Sequence, residues 1–239
     1  MNLLRQFQED KQKKIKRLAV LIDADFHEPS KLTKILQKCS KYKVSYIFVG
    51  GSFLSQNTTD EVIQFIKKVV NIPVIIFPGS YFQLSSYADG IFFMSLISGR
   101  NPELLIGQQV VAAPLLEKMN IEILPTGYML VEGDYLTTAH YVSNTMPLPK
   151  NKPYLAYATA LAGKYLGLKI MYLDTGSGAS HPVPSPIVES VSKLADIPLI
   201  VGGGITQPEV VYQLWNAGAD VVVVGTIIEN NPEFLVNFS

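Results

Sequence analysis

The 239-residue sequence lacks the features that usually mark secreted, membrane-spanning and nucleic-acid-binding proteins. Its single cysteine, Cys39, has no partner for an internal disulfide, which indicates a reduced, cytoplasmic protein. No apolar run approaches the roughly 18 residues that a membrane-spanning helix needs, and the N-terminal segment is too charged for a signal peptide. Twenty basic and twenty acidic side chains leave no net charge, which does not favour a nucleic-acid-binding protein.

The zero net charge conceals an uneven distribution along the chain. Residues 1–50 carry eleven basic and five acidic side chains. We expect the basic cluster to form a solvated helix face; the alternative is a site that attracts anionic ligands or lipid headgroups. The cluster consists of Lys11, Lys13, Lys14, Lys16 and Arg17.

Eight short apolar runs alternate with segments of helical length. Because the runs are apolar at consecutive positions, both faces of each strand must be covered, as in a parallel sheet flanked by helices. A βαβ unit needs about 30 residues, so the chain has room for eight. The predicted strands are 18–23, 45–50, 73–77, 90–96, 121–131, 168–174, 197–202 and 220–225, and the predicted helices are 29–42, 58–70, 101–119, 153–166, 184–195 and 207–217.

These elements predict an α/β protein with a single (β/α)8 (TIM) barrel domain over residues 1–239. A barrel is favoured over a doubly wound sheet because it leaves no unpaired edge strand. Only residues 79–89 separate the third and fourth strands, so the third helical unit should be short or irregular. The connection over residues 133–152 is long enough to be a lid or a binding loop.

In a barrel, reactive groups follow the carboxyl ends of the strands, and glycines are concentrated after two of them. Gly203 and Gly204 follow the seventh strand, and Gly225 and Thr226 follow the eighth. Glycines let backbone N–H groups approach an anion closely, so this pair of loops predicts a phosphate site. The alternative is that the glycines only allow the chain to turn.

Carboxylates end the sixth and first strands. Asp174 could accept a proton from a substrate hydroxyl or orient it; alternatively, it only caps its own turn. Asp23 and Asp25 resemble the carboxylates that hold Mg²⁺ together with substrate phosphates, and Ser52 could add an oxygen ligand, although an aspartate at such a junction is often only a helix cap. The histidines have no metal-ligand spacing and no adjacent nucleophile, so none is assigned chemistry: His27, His140 and His181.

Seven motifs, in order, resemble the geranylgeranylglyceryl phosphate synthase family over residues 15–238. They are LIDAD, VGGS, SGRNPELLIGQQ, ILPTGYMLVEG, YLDTGSGA, VGGGI and VGT. The segments SNTMPLP and ATALAGKYLGLKIMYL resemble the subgroup with the longer strand-five connection. The resemblance implies a prenyltransferase that joins sn-glycerol 1-phosphate to geranylgeranyl diphosphate through an ether bond, releasing diphosphate, in ether-lipid biosynthesis. It also implies a barrel without a regular third helix and a homo-oligomer, either a dimer or a hexamer.

The resemblance assigns roles to individual positions. It implies Mg²⁺ as cofactor, held by Asp23 and Ser52, and Asp174 as the catalytic residue that takes or orients the acceptor's proton. The positions implied to bind sn-glycerol 1-phosphate are Tyr172, Leu173, Asp174, Thr175, Gly176, Ser177, Gly178, Gly203, Gly204, Gly225 and Thr226. The prenyl chain needs an apolar groove, for which the aromatic residues near the irregular third unit are candidates: Phe77, Tyr81, Phe93 and Tyr128.

The sequence departs from the family pattern at three places. Ala24 and Phe26 replace a proline and a lysine, Asp174 and Thr175 replace glutamate and alanine, and Asp134 follows VEG. Two alternatives are kept. One is a different phosphate-binding barrel enzyme, such as an isomerase or aldolase; the other, motivated by the departures at Ala24, Phe26 and Asp174, is a catalytically silent lipid-phosphate-binding protein. In each case we expect no nucleic-acid partner and at most peripheral contact with a membrane.

Overall fold

Eight parallel strands close into a barrel in a computed structural model that describes residues 2–25, 28–56 and 58–238. Each strand pairs with the next in the chain, and β8 pairs with β1. The predicted (β/α)8 barrel is therefore confirmed, and each predicted run overlaps one strand. The strands are β1 (Arg17–Ile22), β2 (Tyr46–Val49), β3 (Val74–Ile76), β4 (Gly90–Leu96), β5 (Glu122–Leu130), β6 (Ile170–Asp174), β7 (Leu199–Gly202) and β8 (Val221–Val224).

The strands are apolar throughout because their two faces pack against different layers. Side chains alternate along a strand: Ala19 of β1 packs inside the barrel, whereas Val20 and Ile22 pack against the surrounding helices. The same alternation places Tyr172 inside and Leu173 outside.

Helices cover the outside of the barrel and close its amino-terminal end. They are α1 (Leu3–Gln12), α2 (Pro29–Lys41), α3 (Thr59–Val69), α4 (Gln108–Leu116), α5 (Thr138–Ser143), α6 (Pro153–Tyr165), α7 (Ser185–Ser192), α8 (Pro208–Asn216) and α9 (Thr226–Asn230), with a 3-10 segment at Pro232–Phe238. Among the residues described, no helix has both the length and the apolar composition to cross a membrane.

The helix predicted over residues 101–119 is not uniform. It begins with a π-helical turn, Glu103–Gly107, which leads directly into α4. The Gln109 side chain accompanies this wider turn, since its amide donates to the carbonyls of Leu104 and Met94. The spacing of apolar residues predicts helix here but does not distinguish a π turn from an α turn.

The prediction of an irregular third unit is confirmed. Residues 77–89 form turns rather than a helix, and the buried side chain of Gln83 holds them in place. Its amide donates to the Gly51 carbonyl at 2.9 Å, and its carbonyl oxygen accepts from the Gly79 N–H at 3.2 Å. Without a helix at this position, one side of the barrel can open into a groove.

Helix α1 closes the amino-terminal end of the barrel. Phe7 and Leu3 are 1% exposed and join the interior cluster, where the Phe7 ring lies 4.8 Å from that of Tyr46. The Glu122 carboxylate accepts from the N–H groups of Leu3 and Leu4 at 2.5 and 2.8 Å. A carboxylate at a helix N-terminus satisfies free N–H groups and interacts favourably with the helix dipole.

The basic cluster is largely part of this closure, and the expectation of a solvated face is wrong for Lys11. Its side chain is only 9% exposed and lies 2.9 Å from Asp220, while Arg17 forms two 2.9 Å hydrogen bonds to Asp10. Lys13, in contrast, is 63% exposed. Because the cluster lies where β1 begins, it is at the opposite end of the barrel from the loops that follow the strands.

Replacing Phe7 with alanine should destabilise the protein by about 3 to 5 kcal/mol, because it leaves a cavity at the base of the barrel. Chemical denaturation measures this change. Arg5→Ala, on the exposed face of the same helix, is the matched control and should change stability by less than about 0.5 kcal/mol. Equal stability of the two variants would contradict the packing of α1 into the barrel.

Candidate active site

A buried carboxylate lies at the carboxyl end of β6. Asp174 pairs in register with Leu130 of β5 and Gly202 of β7 and is 7% exposed. Its Oδ2 accepts from the Tyr128 hydroxyl at 2.7 Å, and its Oδ1 accepts from the Gly176 N–H at 2.7 Å. Asp174 thus caps its own turn, as one of the two predictions has it. It also lies at the carboxyl end of the barrel, where the other prediction, a contact with a substrate hydroxyl, remains compatible with its position.

Burial raises the pKa of Asp174 above that of an exposed aspartate, although its hydrogen bonds from Tyr128 and Gly176 act in the opposite direction. A carboxylate with a raised pKa is a stronger proton acceptor once ionised. Burial, with a smaller contribution from the negative charge of Asp174, also raises the pKa of Tyr128 well above its usual value. The Tyr128 hydroxyl is therefore protonated at neutral pH and acts as a donor.

The glycines after β7 lie so close to neighbouring residues that side chains do not fit. Gly203 and Gly204 have φ angles of +84° and +65°, which L side chains rarely adopt. A Cβ atom at Gly203 would overlap Asp174 Oδ1 and the Thr175 hydroxyl, and one at Gly204 would overlap the His181 carbonyl. Glycine is therefore required at Gly203 for the loop after β7 to pass close to the Asp174 carboxylate.

The second predicted glycine loop lies next to the first. Strands β7 and β8 are paired neighbours, and β8 is followed by Gly225 and by Thr226, the first residue of α9. The first backbone N–H groups of a helix have no partner within it. The two adjacent loops therefore form the arrangement in which barrels hold phosphate groups.

The other positions predicted at β6 occupy different layers. Tyr172 is 1% exposed inside the barrel, with its ring 5.0 Å from that of Phe77. The Leu173 side chain packs on the outer face, so only its backbone can face a ligand. Thr175 is buried and its hydroxyl donates to the His181 carbonyl at 3.1 Å. The loop then continues through Gly176, with a positive φ, to the exposed Ser177 and Gly178.

Asp23 and Ser52, the predicted metal ligands, lie at the ends of β1 and β2. The carboxylate of Asp23 accepts from the Asp25 N–H at 2.9 Å. It also lies close to Gly51, the residue before Ser52, since a Cβ atom added to Gly51 would be 3.2 Å from Asp23 Oδ1. The Glu229 carboxylate accepts from the Asp23 N–H at 3.4 Å. The pKa of Glu229 is raised, mainly by burial and in part by the charge of Asp23.

This donor set is small, and across residues 2–25, 28–56 and 58–238 no group of three or more His, Cys, Asp or Glu side chains is placed to hold a metal ion. One or two carboxylates with a hydroxyl nonetheless suit Mg²⁺ when substrate phosphates complete its coordination. Asp25 has a different role, since its carboxylate accepts from the Ser55 N–H at 2.5 Å and so holds the β2 loop. The departure at Phe26, and His27, lie outside the described residues.

An apolar groove with a cavity of about 340 Å³ opens beside the irregular third unit. All four predicted groove residues line it: Phe77, Tyr81, Phe93 and Tyr128. Ser52 and Phe53 also line it, so the groove reaches Ser52, one of the two predicted metal ligands. Tyr128 belongs to both parts of the site, because its ring lines the groove and its hydroxyl donates to Asp174.

Residues of the π turn and α4 also line the groove, and sequence reasoning missed them. They are Leu104, Gln108, Gln109, Ala112 and Leu116. The signal that could have indicated them is the run VVAAPLL, which is apolar around the whole circumference of α4 rather than along one stripe.

The long connection after β5 lies over both parts of the site. It is anchored by Leu148, whose N–H and carbonyl make 2.8 Å hydrogen bonds to Leu130 and Glu132. Ala139, Val142 and Ser143 of α5 line the groove. On the other side, Thr137 packs against Gly176, where a Cβ atom would overlap its hydroxyl. This position agrees with the predicted lid.

Comparisons with known proteins agree with the sequence motifs. The model of the PcrB family matches residues 11–238. A geranylgeranylglyceryl phosphate synthase of Spirosoma linguale is 49% identical over 92% of this chain and 88% of its own. One from Pyrococcus furiosus is 46% identical over 88% of this chain and 84% of its own. The crystal structure of the Thermoplasma acidophilum (S)-3-O-geranylgeranylglyceryl phosphate synthase in complex with sn-glycerol-1-phosphate has a TM-score of 0.93 at 36% identity, covering 100% of this chain and 97% of that one.

Replacing Gly203 with alanine should weaken the binding of sn-glycerol 1-phosphate by at least about tenfold, or 1.4 kcal/mol. The new Cβ must displace Asp174 or Thr175 and the loop with them. Isothermal titration calorimetry measures the affinity. Gly133→Ala is the matched control, because its Cβ would meet nothing closer than 3.9 Å. Unchanged affinity of Gly203→Ala would contradict the placement of the phosphate at this loop.

Proposed function

Since the chain belongs to the PcrB family, we propose that it joins sn-glycerol 1-phosphate to geranylgeranyl diphosphate through an ether bond and releases diphosphate. The observation that carries this proposal is the position of Tyr128. Its ring lines the apolar groove and its hydroxyl donates to Asp174 at 2.7 Å, beside the Gly203 loop. A lipid chain and a phosphate can thus be bound on opposite sides of one buried carboxylate.

The acceptor, sn-glycerol 1-phosphate, is proposed to bind with its phosphate on the loops after β7 and β8. The backbone N–H groups of Gly203, Gly204 and Thr226 are the proposed donors to the phosphate, and the positive φ angles of the two glycines shape the loop that carries them. This anchoring directs the glycerol hydroxyls toward Asp174 at the neighbouring strand end. Positioning of this kind replaces a covalent nucleophile.

The donor is proposed to place its prenyl chain in the groove and its diphosphate near Asp23 and Ser52. Each buried CH₂ contributes about 0.8 kcal/mol, so burial of the prenyl chain in the apolar groove would favour binding of the donor. Mg²⁺ held at Asp23 and Ser52 would neutralise the negative charge that develops on the departing diphosphate. Its assignment as cofactor is supported by the donor set and by the proximity of Ser52 to the groove.

The reaction then follows from the position of Asp174. A glycerol hydroxyl forms a C–O bond to the allylic carbon as the bond from that carbon to the diphosphate breaks. Asp174 accepts the proton of the hydroxyl, and Tyr128 holds the carboxylate through Oδ2. The lid helix α5, which lines the groove, would exclude water from the developing allylic cation.

The isomerase or aldolase alternative is less favoured. An N-acetylmannosamine-6-phosphate 2-epimerase from Clostridium perfringens has a TM-score of 0.58 at 14% identity, a likeness that shows the barrel fold alone. A sugar phosphate would not need the apolar groove. The silent-binding alternative is less favoured because Asp174 retains a buried position between the groove and the glycine loops.

We also propose a homo-oligomer, of two or six copies as the family resemblance implies. Helices α4 and α6 support it, because each exposes large apolar side chains that a monomer would leave in water. They are Val110, Val111 and Leu115 on α4 and Tyr154, Leu155 and Tyr165 on α6.

The purified protein should transfer radiolabelled sn-glycerol 1-phosphate into organic-extractable product when given geranylgeranyl diphosphate and Mg²⁺. Farnesyl and longer donors, offered separately, measure the length that the groove accepts. Asp174→Asn should lower the rate by about 100-fold or more, because an amide does not accept the proton. No product with any donor, from protein that binds sn-glycerol 1-phosphate, would favour the silent binding protein instead.

Asp23→Ala should lower the transfer rate by about 100-fold or more and leave the affinity for sn-glycerol 1-phosphate nearly unchanged. The reason is that Asp23 lies on the donor side of the site. Steady-state rates over a range of Mg²⁺ concentrations, together with calorimetry of the acceptor, separate the two effects. Asp60→Ala, an exposed aspartate at the start of α3, is the control. An equal loss of acceptor affinity would contradict the metal assignment.

A further inference from the structure

One buried polar atom near Asp174 has no role in the reaction as described above. His140 lies on the lid helix α5 and is 4% exposed. Its Nε2 is buried and has no hydrogen-bond partner among the residues that the structure describes. An unpaired buried donor or acceptor costs about 1 to 3 kcal/mol, so a ligand that satisfied it would gain that interaction.

The other ring nitrogen determines the form of this histidine. His140 Nδ1 accepts from the Thr137 N–H at 3.2 Å and lies 2.8 Å from the Thr137 hydroxyl. Thr137 is the residue before the first turn of α5, so this contact is part of a capping box. Since Nδ1 accepts, the neutral ring carries its proton on Nε2. Burial lowers the pKa of His140, although the charge of Asp174 acts in the opposite direction, and the neutral form therefore predominates at neutral pH.

His140 and Asp174 are linked through Thr137 and Gly176. His140 Nδ1 lies 2.8 Å from the Thr137 hydroxyl, this hydroxyl packs against Gly176, and the Gly176 N–H donates to Asp174 at 2.7 Å. Each of the two groups also influences the pKa of the other through its charge. The Asp174 oxygens are bonded to Tyr128 and Gly176, however, and His140 Nε2 remains without a partner. A donor and an acceptor separated in this way can be joined by a hydroxyl, which accepts one hydrogen bond and donates another.

We propose that His140 is a positioning residue whose Nε2–H donates to the glycerol hydroxyl that in turn donates to Asp174. The hydroxyl proton passes to Asp174 as the ether bond forms, and His140 keeps its own proton throughout. One lone pair of the oxygen accepts from His140, and the other is directed at the allylic carbon. The lid thereby contributes a group that orients the acceptor. This inference rests on the proposed function of the site.

The variant His140→Asn tests the proposal, because its Oδ1 can still accept from the Thr137 N–H while Nε2 is lost. We expect a melting temperature close to that of the unmodified protein. The kcat/KM for sn-glycerol 1-phosphate should fall about tenfold, the loss of one buried hydrogen bond, with the KM for the prenyl donor unchanged. Tyr141→Asn introduces the same residue at the next, exposed position of α5 and should match the unmodified protein.

A spectroscopic measurement is independent of turnover. In protein with ¹⁵N-labelled histidine, addition of sn-glycerol 1-phosphate alone should shift the Nε2 resonance of His140 and leave Nδ1 unprotonated. An unchanged resonance in protein that binds the acceptor would overturn the proposal, as would full activity of His140→Asn. If the unmodified protein binds the acceptor but makes no product, the function of the site fails while the resonance still tests the hydrogen bond.

Discussion

The hydrogen bond from Tyr128 to Asp174 is the contact on which the organisation of the site depends. The two residues lie on adjacent strands, and the bond holds one carboxylate oxygen 2.7 Å from the hydroxyl of a tyrosine whose ring lines the apolar groove. The other oxygen is held by the turn that follows β6. The first constraint follows from the pairing of β5 with β6, and the second from the turn directly after β6. The position of the carboxylate is therefore set by the end of the barrel and its adjoining turn.

A buried carboxylate is costly unless its surroundings compensate for the lost hydration. Here that compensation comes from donors: one hydroxyl and the N–H of Gly176, with no cation bonded to the oxygens in the described structure. The carboxylate is therefore stabilised enough to remain in the core, yet burial still raises its pKa. These opposing effects suit a group that must accept a proton and later release it. A lysine or arginine paired with Asp174 would stabilise the ionised form and weaken it as a base.

The sequence predicts the strands and the irregular third unit well, because one property of each segment, its apolar composition or its length, determines its structure. Consecutive apolar residues indicate strands covered on both faces, and the shortness of residues 79–89 excludes a regular helix between β3 and β4. The special backbone conformation at Gly203 and Gly204 could also be predicted, because consecutive glycines at a strand end indicate a turn that needs positive φ angles; their binding of phosphate stays a prediction. The groove residues Phe77 and Tyr128 were also predictable, since aromatic side chains cluster where the helix is missing.

Other features depend on contacts between residues far apart in the chain. A sequence pattern over neighbouring positions does not predict such contacts. Lys11 resembles a solvated lysine until Asp220, 209 residues away, is found beside it. The π turn before α4 involves a contact between Gln109 and the strand β4. His140 has no signal at all in the sequence, because its position beside Asp174 arises only when the lid lies across the barrel mouth.

The two ends of the barrel differ in how their polar groups are satisfied. This difference helps to explain how Asp174 could act where the family pattern has glutamate. At the amino-terminal end, α1 closes the barrel with buried side chains and with the ion pairs of Lys11 and Arg17. At the carboxyl end lie Asp174, whose pKa is raised by burial, and the buried Nε2 of His140, which has no hydrogen-bond partner among the described residues. A carboxylate shorter by one methylene keeps its function in such a site if the substrate comes closer to it. The loop at Gly203 passes so close to Asp174 that a Cβ does not fit between them, and a substrate phosphate bound at this loop would lie close to the shorter carboxylate.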